Sequence, residues 1–381
     1  MIKRQAETIV RNYLTKNKKI IVIFGARQVG KTTILEQIFD KNNPDIIWYN
    51  GDEDETKRLF ANANYSDLAP LVKGHKIAII DEAQKIENIG IKLKILQDNL
   101  GNDIQFVATG SSSFDLANKI NEPLTGRKHT IKMFPLSIKE LVDNHGYADE
   151  SSSLRNRLIY GSYPAVVSDM EDAKEIISEL ASENLYKDIL NLGNIIKTDK
   201  LELILRALAM QIGSQVSMNE IGQLVGLDSK TVEKYIALLE QSFIIFRLPS
   251  FSRNLRNELK FSQKVFFYDC GIRNAIIGDY RPIDLRQDLG SLFENYIISE
   301  LKKRFPNDNI YFWRNKNQQE VDYLIEKNGE ITAIEVKWKL KKNAKLPNIF
   351  VETYHPSHTL FIDSDNYLEA FSGSQLDYLD R

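Results

Sequence analysis

The sequence predicts an α/β protein built from several domains, and three observations lead to this fold class. Short Ile- and Val-rich runs alternate with polar, helix-like stretches over the first 135 residues, as in a parallel sheet covered on both faces. The pattern then becomes helical, and it later changes to two short helices around a tight turn. The length of 381 residues exceeds the roughly 100–200 residues of one domain. A composition of 43% hydrophobic and 27% charged residues excludes disordered, collagen-like and low-complexity chains.

Five buried strands are predicted in residues 1–135, separated by segments long enough for crossover helices. These strands are Ile20–Phe24, Ile46–Tyr49, Lys76–Ile80, Ile104–Ala108 and Thr130–Met133. Residues 1–135 are therefore predicted to form a doubly wound α/β domain. Residues 136–200 lack a strand pattern and are predicted to form a helical lid, with Gly161-Ser-Tyr-Pro164 as an internal break.

Residues 201–280 show the pattern of a winged helix-turn-helix. Met218–Val225 is predicted to be the first helix and Lys230–Gln241 the second, with Ser229 as the N-cap of the second. The strand-like runs Phe243–Leu248 and Val265–Tyr268 would pair as the wing. Residues 281–381 form the last predicted domain, which begins with a helix at Leu289–Phe305 and continues with a strand at Ile310–Trp313.

The segment from Gly25 to Thr32 has the spacing G-x-x-x-x-G-K-T and lies between a predicted strand and a predicted helix. Such a loop wraps phosphate groups with backbone N–H groups at the start of a helix. Lys31 would reach the β- and γ-phosphates of ATP, and the Thr32 hydroxyl would hold Mg²⁺. The residues predicted to bind the nucleotide are Gly25, Ala26, Arg27, Gln28, Val29, Gly30, Lys31, Thr32 and Thr33.

Two carboxylates, Asp81 and Glu82, directly follow the apolar run of the third strand. They would lie at the carboxyl edge of the sheet, where ligands of open α/β sheets bind. Asp81 is predicted to orient Mg²⁺ through water, and Glu82 to activate the attacking water as general base. Together with the phosphate loop, these residues predict hydrolysis of a nucleoside triphosphate.

Two further catalytic candidates follow in the chain. Thr109, at the end of the fourth strand, could sense the γ-phosphate through its hydroxyl, and Ser111 is the alternative. Arg127 could stabilise the charge on a nucleotide bound to a neighbouring subunit, which requires a homo-oligomer. An ordinary surface ion pair is an equally good interpretation of Arg127.

The segment Gln319–Lys337 predicts a β-hairpin with Asn328-Gly329 as its two-residue loop. In this register Lys327 faces Glu330, Tyr323 meets Ile334, and Val321 meets Val336 on a core face. Asp322 would lie opposite Glu335, and Glu320 opposite Lys337. Opposed carboxylates repel each other, so such a pair implies a cation, a shared proton or a nearby base, and Lys337 lies two residues along on the same face.

The hairpin acids predict a second site. Asp322 and Glu335, with Glu294 from the preceding helix, would hold Mg²⁺, and Lys337 would orient a water for attack on a phosphodiester. A solvated hairpin face with Glu/Lys pairs is the alternative. The helix-turn-helix could likewise place Lys230, Thr231 and Lys234 in a DNA groove, or serve as a packing contact.

The charge distribution is uneven although the net charge is only −2. Residues 250–345 contain 18 Lys and Arg against 13 Asp and Glu, whereas residues 346–381 contain six acidic residues and one Arg. The basic region followed by an acidic tail is a hint of an anionic partner in the C-terminal third, and solvated surface charge is an equally good interpretation. No apolar run is long enough to span a bilayer, no signal-peptide pattern is present at the N-terminus, and Cys270 has no partner for a disulfide. We therefore expect a cytoplasmic protein without a membrane segment.

The motifs resemble those of prokaryotic AAA+-type ATPases that carry a C-terminal domain of uncharacterised function. The matching segments are Gly25-Ala-Arg-Gln-Val-Gly-Lys-Thr-Thr33, Ile80-Asp-Glu-Ala-Gln84, Thr109-Gly-Ser-Ser-Ser113, Gly126-Arg127 with Phe134-Pro-Leu-Ser137, Gly161-Ser-Tyr-Pro164 and Leu289-Gly-Ser-Leu-Phe-Glu294. The last of these, with Glu320-Val-Asp322 and Glu335-Val-Lys337, is similar to the PD-(D/E)xK nuclease motif. Two departures are Ala26, where the family usually has Pro, and the lack of a Pro-Asp pair before Asp322.

The resemblance implies an AAA+-type P-loop ATPase core, a helical lid, a winged helix and an α/β nuclease-like domain. It also implies that Lys31, Thr32, Asp81 and Glu82 carry ATP hydrolysis, and that Glu294, Asp322, Glu335 and Lys337 match the acid and Lys positions of the nuclease. The leading hypothesis is an ATPase that acts on DNA, as a motor or a processing enzyme. The alternative is a nucleotide-gated binding module whose C-terminal domain grips a protein or nucleic acid without cutting it.

Overall fold

The computed structural model describes residues 2–16, 18–62, 64–110, 124–184, 198–252 and 263–380. These residues form two compact units. The first contains the described residues up to Pro135 together with Asn184 and Gln241–Phe243. The second contains the described residues of 136–183, 198–240 and 244–380. The predicted lid, helix-turn-helix and C-terminal segment therefore lie mainly within one compact unit, and the boundaries predicted between them remain predictions.

The first unit is a five-stranded parallel sheet with helices in the connections between its strands, as predicted. Its strands are β1 (Ile20–Gly25), β2 (Ile46–Asn50), β3 (Ile77–Asp81), β4 (Gln105–Gly110) and β5 (Lys128–Met133). Its helices are α1 (Gln5–Leu14), α2 (Lys31–Ile38), α3 (Asp54–Leu59), α4 (Tyr65–Val72) and α5 (Ile89–Leu100). The strand order is β2-β3-β4-β1-β5, so the apolar strands β1 and β4 lie inside the sheet and are buried throughout.

The second unit begins with helices, as the sequence predicts for residues 136–200. These helices are α6 (Ile138–His145), α7 (Tyr147–Tyr160), α8 (Pro164–Ser168) and α9 (Ala173–Glu179). Ser137 and Glu140 form a reciprocal capping box at the start of α6, which satisfies two otherwise unpaired backbone N–H groups.

The helix-turn-helix segment has the predicted helices and an antiparallel three-stranded sheet of order β6-β8-β7. The elements are α10 (Thr198–Met210), β6 (Gln215–Val216), α11 (Met218–Val225), α12 (Ser229–Gln241), β7 (Ile245–Leu248), β8 (Gln263–Phe267) and α13 (Cys270–Ile277). The predicted N-cap is wrong: Asp228, not Ser229, accepts hydrogen bonds from the backbone N–H of Thr231 at 3.0 Å and from its hydroxyl at 2.6 Å. A carboxylate is the stronger acceptor and adds favourable charge at the helix start.

The C-terminal segment is a four-stranded mixed sheet of order β12-β11-β10-β9 with flanking helices. Its elements are α14 (Leu289–Arg304), β9 (Ile310–Arg314), β10 (Glu320–Lys327), β11 (Glu330–Val336), α15 (Asn348–Tyr354), β12 (His358–Ile362) and α16 (Tyr367–Ser372). None of the helices in the described part of the chain combines the length and the apolar character needed to cross a membrane.

The predicted hairpin register is confirmed from Lys327↔Glu330 to Tyr323↔Ile334. Asn328 and Gly329 have φ values of 53° and 83°, which the twisted two-residue turn requires. The predicted core face of the hairpin is wrong for Val321. A bulge against β9 between Val321 and Leu324 turns Val321 into the same apolar cluster as Leu324, away from the face of Tyr323.

Candidate functional site

The phosphate loop connects β1 to α2, as its spacing predicts. Gly25 ends β1 so close to β5 that a Cβ atom there would lie 2.2 Å from the Met133 carbonyl oxygen, a distance that only glycine tolerates. Gln28 and Gly30 have left-handed φ values of 59° and 94°, which turn the loop into the helix. Lys31, at the first position of α2, is buried, and its Nζ donates to the carbonyl oxygens of Gly25 at 3.0 Å and Ala26 at 2.9 Å.

The predicted Mg²⁺ and sensor residues converge at the carboxyl edge of the sheet. Asp81 ends β3 and Thr109 lies near the end of β4. Strand β4 lies between β3 and β1. The Thr32 hydroxyl donates to Asp81 Oδ2 at 2.7 Å. The Thr109 hydroxyl donates to Asp81 Oδ1. Thr32, Asp81 and Thr109 are distant from one another in the sequence, and the parallel order of the strands brings them together. The sequence predicted these residues but not their contacts.

Glu82 follows Asp81 in a left-handed conformation, with φ 48° and ψ 41°. This conformation is uncommon for a non-glycine residue and is often found at functional sites. The Glu82 backbone N–H donates to Thr109 Oγ1 at 3.1 Å, and Gln84 Nε2 donates to the Glu82 carboxylate at 2.5 Å. Gln84, which the sequence reasoning did not assign a role, therefore orients the predicted general base.

Arg4 is a second residue that the sequence reasoning missed. Its buried guanidinium donates to the Val29 carbonyl oxygen inside the phosphate loop and to the Phe134 carbonyl oxygen at 2.7 Å. Arg4 precedes α1, and its two acceptors lie 25 and 130 residues away. No local sequence signal predicts such a contact.

Arg127 is not brought to the phosphate loop in the described residues. Arg127 precedes β5, at the amino edge of the sheet, while the loop leaves β1 at the carboxyl edge about 16 Å along the strand. Its guanidinium donates two hydrogen bonds to the Asp98 carboxylate, at 2.5 and 3.2 Å. Arg127 therefore forms the ordinary surface ion pair named as its alternative, and a role in a neighbouring subunit remains a prediction. Ser111 lies outside the described residues.

A second cluster forms around Lys337, where the sequence predicted an acidic site. Lys337 Nζ lies 2.7 Å from Asp322 Oδ2, 3.0 Å from Glu335 Oε1 and 4.0 Å from Glu294 Oε1. The Val336 N–H also donates to Asp322 Oδ2, at 2.8 Å. The three carboxylates are largely withdrawn from solvent, with side-chain exposures of 8%, 17% and 22% for Asp322, Glu335 and Glu294. The alternative of a solvated hairpin face therefore does not describe this cluster.

The electrostatics of this cluster reflect burial and crowded acids. Burial first, and then the charge of Asp322, raises the pKa of Glu294 to about 7, although Lys337 and Lys264 oppose the rise. The same two causes raise the pKa of Glu335. Burial would lower the pKa of Lys337, but the charge and hydrogen bond of Asp322, with Glu335 and Glu294, outweigh burial and raise it. Lys337 is thus held as an ammonium ion among the acids.

The cluster fits a divalent cation only in part. Glu335 Oε2 is buried and has no hydrogen-bond partner among the residues that the structure describes, and such an oxygen would suit a hard cation. However, nowhere in the described ranges do three or more His, Cys, Asp or Glu side chains surround a common point as ligands of one ion. The Lys337 ammonium holds the central position instead. The metal role of Glu294, Asp322 and Glu335 remains a prediction.

Strand β8 of the helix-turn-helix segment also contributes to this cluster. Lys264 is buried, donates to Glu320 Oε1 and lies 5.1 Å from the centre of the Phe312 ring. Glu320 additionally lies 3.6 Å from Arg314 Nε. The sequence placed Glu320 opposite Lys337, but in the structure its cations are Lys264 and Arg314. In the helix-turn-helix itself, Lys230 and Lys234 are exposed, so they are available to a partner.

Three sequence profiles of protein families match separate parts of the chain. A profile described as an AAA domain matches residues 17–142. Two domains of unknown function follow, DUF8612 over residues 151–282 and DUF4143 over residues 289–370.

Several curated proteins are similar over most of the chain. An uncharacterized protein from Haemophilus influenzae is 26% identical over 91% of this chain and 87% of its own length. The uncharacterized protein Rv2008c from Mycobacterium tuberculosis is 24% identical, over 84% of this chain and 70% of its own length. The uncharacterized protein MJ1544 from Methanocaldococcus jannaschii is 26% identical, over 85% and 76% respectively.

Among solved structures, the Holliday junction branch migration motor RuvB of Thermotoga maritima aligns with a TM-score of 0.32 and 16% identity. The alignment covers 68% of this chain and 95% of RuvB. A signal transduction ATPase with numerous domains from Pyrococcus horikoshii aligns with a TM-score of 0.29 and 14% identity, over 80% of this chain and 46% of that one. The parallel sheet, the phosphate loop and the match over residues 17–142 together support an AAA-type P-loop ATPase domain in the N-terminal part of the chain.

Proposed function

We propose that this protein is a cytoplasmic, homo-oligomeric ATPase that hydrolyses ATP and acts on DNA. The observation that carries the ATPase part is the convergence of Thr32 and Thr109 on the Asp81 carboxylate, beside a loop that holds Lys31. The AAA-domain match over residues 17–142 supports it. Action on DNA rests on the exposed cations of the helix-turn-helix and of the C-terminal segment.

The residues at this edge fit ATP and Mg²⁺ by their chemistry. Lys31 carries a buried ammonium that donates to two loop carbonyls, and it could exchange them for phosphate oxygens. Thr32 and Asp81 would hold the metal ion. Bound Mg²⁺ neutralises charge on the β- and γ-phosphates during phosphoryl transfer.

The chain's own residues would then position a water and keep the carboxylates oriented. Glu82 would accept the proton of the attacking water, and Gln84 fixes its carboxylate by a hydrogen bond. The Thr109 hydroxyl contacts both the Asp81 carboxylate and the Glu82 backbone N–H. A change in the bound phosphate that moves this hydroxyl would therefore change the positions of both acidic residues. Arg127 would act on a neighbour's nucleotide after release from Asp98.

Phosphate release by the purified full chain tests this proposal. The protein is assayed with no DNA, single strands, duplex and a four-way junction, with Lys31→Ala as the control for contaminating activity. Turnover that Lys31→Ala abolishes supports the ATPase, and a rise with one DNA form supports action on DNA. No Lys31-dependent turnover in any condition would contradict the ATPase. A Lys31-dependent rate that stays flat across all DNA forms would favour the nucleotide-gated binding module.

A second candidate concerns the C-terminal cluster, which could grip nucleic acid without cutting it. The central position of Lys337 among Asp322, Glu335 and Glu294 favours this candidate, because the ammonium already occupies the place between the acids that a metal ion would take. The unpaired Glu335 Oε2 favours a cation and hence cleavage. Incubation of labelled DNA with Mg²⁺ or Mn²⁺ decides between them. Cleavage that Glu335→Ala and Lys337→Ala both abolish supports a nuclease, and intact DNA with binding retained supports a grip.

A further inference from the structure

The segment that leaves β11 is unusually basic. Within residues 337–345, which we call the lysine loop, five of the nine residues are lysines, namely Lys337, Lys339, Lys341, Lys342 and Lys345. No Asp or Glu occurs between Glu335 and Glu352. All five lysines are exposed. Lys337 pairs with the acidic cluster, whereas none of the other four forms an ion pair within the described part of the chain. Four uncompensated cations on one loop attract anions from solution.

The backbone of the lysine loop is anchored to the turn that follows β12. The Lys337 N–H donates to the Ile362 carbonyl at 3.1 Å, and the Leu340 N–H donates to Asp363 Oδ2 at 3.2 Å. The Ser364 N–H donates to the Trp338 carbonyl at 3.3 Å. The other oxygen of Asp363 accepts hydrogen bonds from the backbone N–H groups of residues 365 and 366. Both carboxylate oxygens of Asp363 are therefore bonded to backbone groups. The loop path is therefore set while the ammonium groups remain in solvent.

The hairpin places this loop beside the acidic cluster. The Asn328-Gly329 turn closes one end of the hairpin, so the chain that enters β10 and the chain that leaves β11 meet at the other end. The entering chain, residues 315–319, contains one Lys, two Asn and two Gln and no acid. Asn315 Nδ2 donates to Gln319 Oε1 at 2.7 Å and keeps this loop closed. Cations and amide groups thus frame the end at which Lys337 lies.

We propose that the lysine loop binds the sugar-phosphate backbone of a nucleic acid and brings it to the Lys337 end of the hairpin. This inference rests on the proposed action on DNA and deepens it by naming the contact surface. Lysine is a flexible point charge, so the contact would be independent of base sequence and strongly dependent on salt.

The salt dependence of binding tests this inference. A labelled 30-base-pair duplex is titrated with the full chain in EDTA between 50 and 200 mM KCl, and fluorescence anisotropy gives the affinity. Log affinity falls with log salt, so the slope is negative. Replacing Lys339, Lys341, Lys342 and Lys345 by Ala should reduce the magnitude of this slope by about 0.9 for each phosphate that the variant no longer neutralises. The same four positions changed to Arg should retain the slope.

A matched control replaces four lysines of the first unit, Lys41, Lys57, Lys73 and Lys76, by Ala. This variant carries the same net charge as the lysine-loop variant and should bind with the wild-type slope. Thermal melting of each variant verifies that it is folded. An unchanged slope in the lysine-loop variant would overturn the inference. If the slope were reduced in the Lys230→Ala/Lys234→Ala variant and not in the lysine-loop variant, the binding surface would be the helix-turn-helix.

Two other results would also overturn the proposed binding of nucleic acid by the lysine loop. The first is no binding of duplex or single strands by the wild type at 50 mM KCl, which would also remove the action on DNA. Lys31-dependent ATP turnover, measured separately, would still stand in that case. The second is lysine-dependent binding to vesicles containing phosphatidylserine with no binding to nucleic acid, which would assign the loop to a lipid surface.

Discussion

Glu294→Gln should stabilise the second unit at alkaline pH, because the folded structure holds this carboxyl where its charge is unfavourable. Its pKa rises from 4.5 to about 7 on folding, by burial and then by the charge of Asp322. A folded-state pKa above the unfolded value means that the stability is fully present below pH 4.5 and is lost as pH rises through about 7. One pKa unit corresponds to about 1.4 kcal/mol. The full shift would thus cost about 3 kcal/mol at pH 8, which partial exposure reduces to about 2 kcal/mol.

Glutamine keeps the shape of the side chain and removes the charge. The hydrogen bond from the Tyr323 hydroxyl to the Glu294 backbone carbonyl, at 2.9 Å, is not altered by the substitution. Thermal melts in EDTA at pH 5, 6, 7 and 8 measure the effect. We expect the variant to melt higher than the wild type at pH 8, by about 5 °C, with the difference shrinking toward pH 5.

Glu326→Gln is the matched control, since Glu326 lies on the same hairpin and is exposed. It should shift the melting temperature by less than about 1 °C at every pH. The reasoning would be refuted if Glu294→Gln melted at or below the wild-type temperature at pH 8. It would also be refuted if both variants showed the same pH profile.

Three further predictions concern single side chains. Thr109→Val should reduce ATP turnover by about 10- to 100-fold, because Asp81 loses a hydroxyl donor, whereas Thr109→Ser should retain most of the rate; steady-state phosphate release measures both. Arg127→Ala should change the melting temperature little, since its ion pair with Asp98 is exposed and screened by water. If Arg127 completes a neighbour's site, the same variant should lose about 1000-fold in turnover at protein concentrations where the wild type is assembled. Lys264→Met should lower the free energy of unfolding by about 2 kcal/mol in urea titrations, because partly buried Glu320 loses its nearer cation and keeps only Arg314.

Local sequence patterns predicted the parts of this protein that depend on neighbouring residues. The phosphate loop follows from glycine spacing between a strand and a helix, and the hairpin register follows from Asn328-Gly329. Two local features are predicted wrongly. The N-cap is Asp228, because Asp228 and Ser229 both have side chains suited to capping, and Val321 packs on the other face because a bulge interrupts the alternation of β10.

Contacts between distant segments could not be read from the sequence. Nothing in the strands themselves sets the order β2-β3-β4-β1-β5, which makes β3 and β4 neighbours and joins Asp81 to Thr109. Arg4 reaches Val29 and Phe134, and Lys264 reaches Glu320 across 56 residues. Each is a polar contact between distant segments, which exists only after folding has brought the two partners together.

The sequence by itself determined which residue types carry the chemistry and which short segments present them. Spacing, turn residues and apolar periodicity act within a few residues, so they are legible along the chain. Only the tertiary structure decided which carboxylates share a cation. It placed the Lys337 ammonium at the centre of three acids and gave Arg127 to Asp98, because the energy of a charge depends on burial and on neighbours that folding brings together.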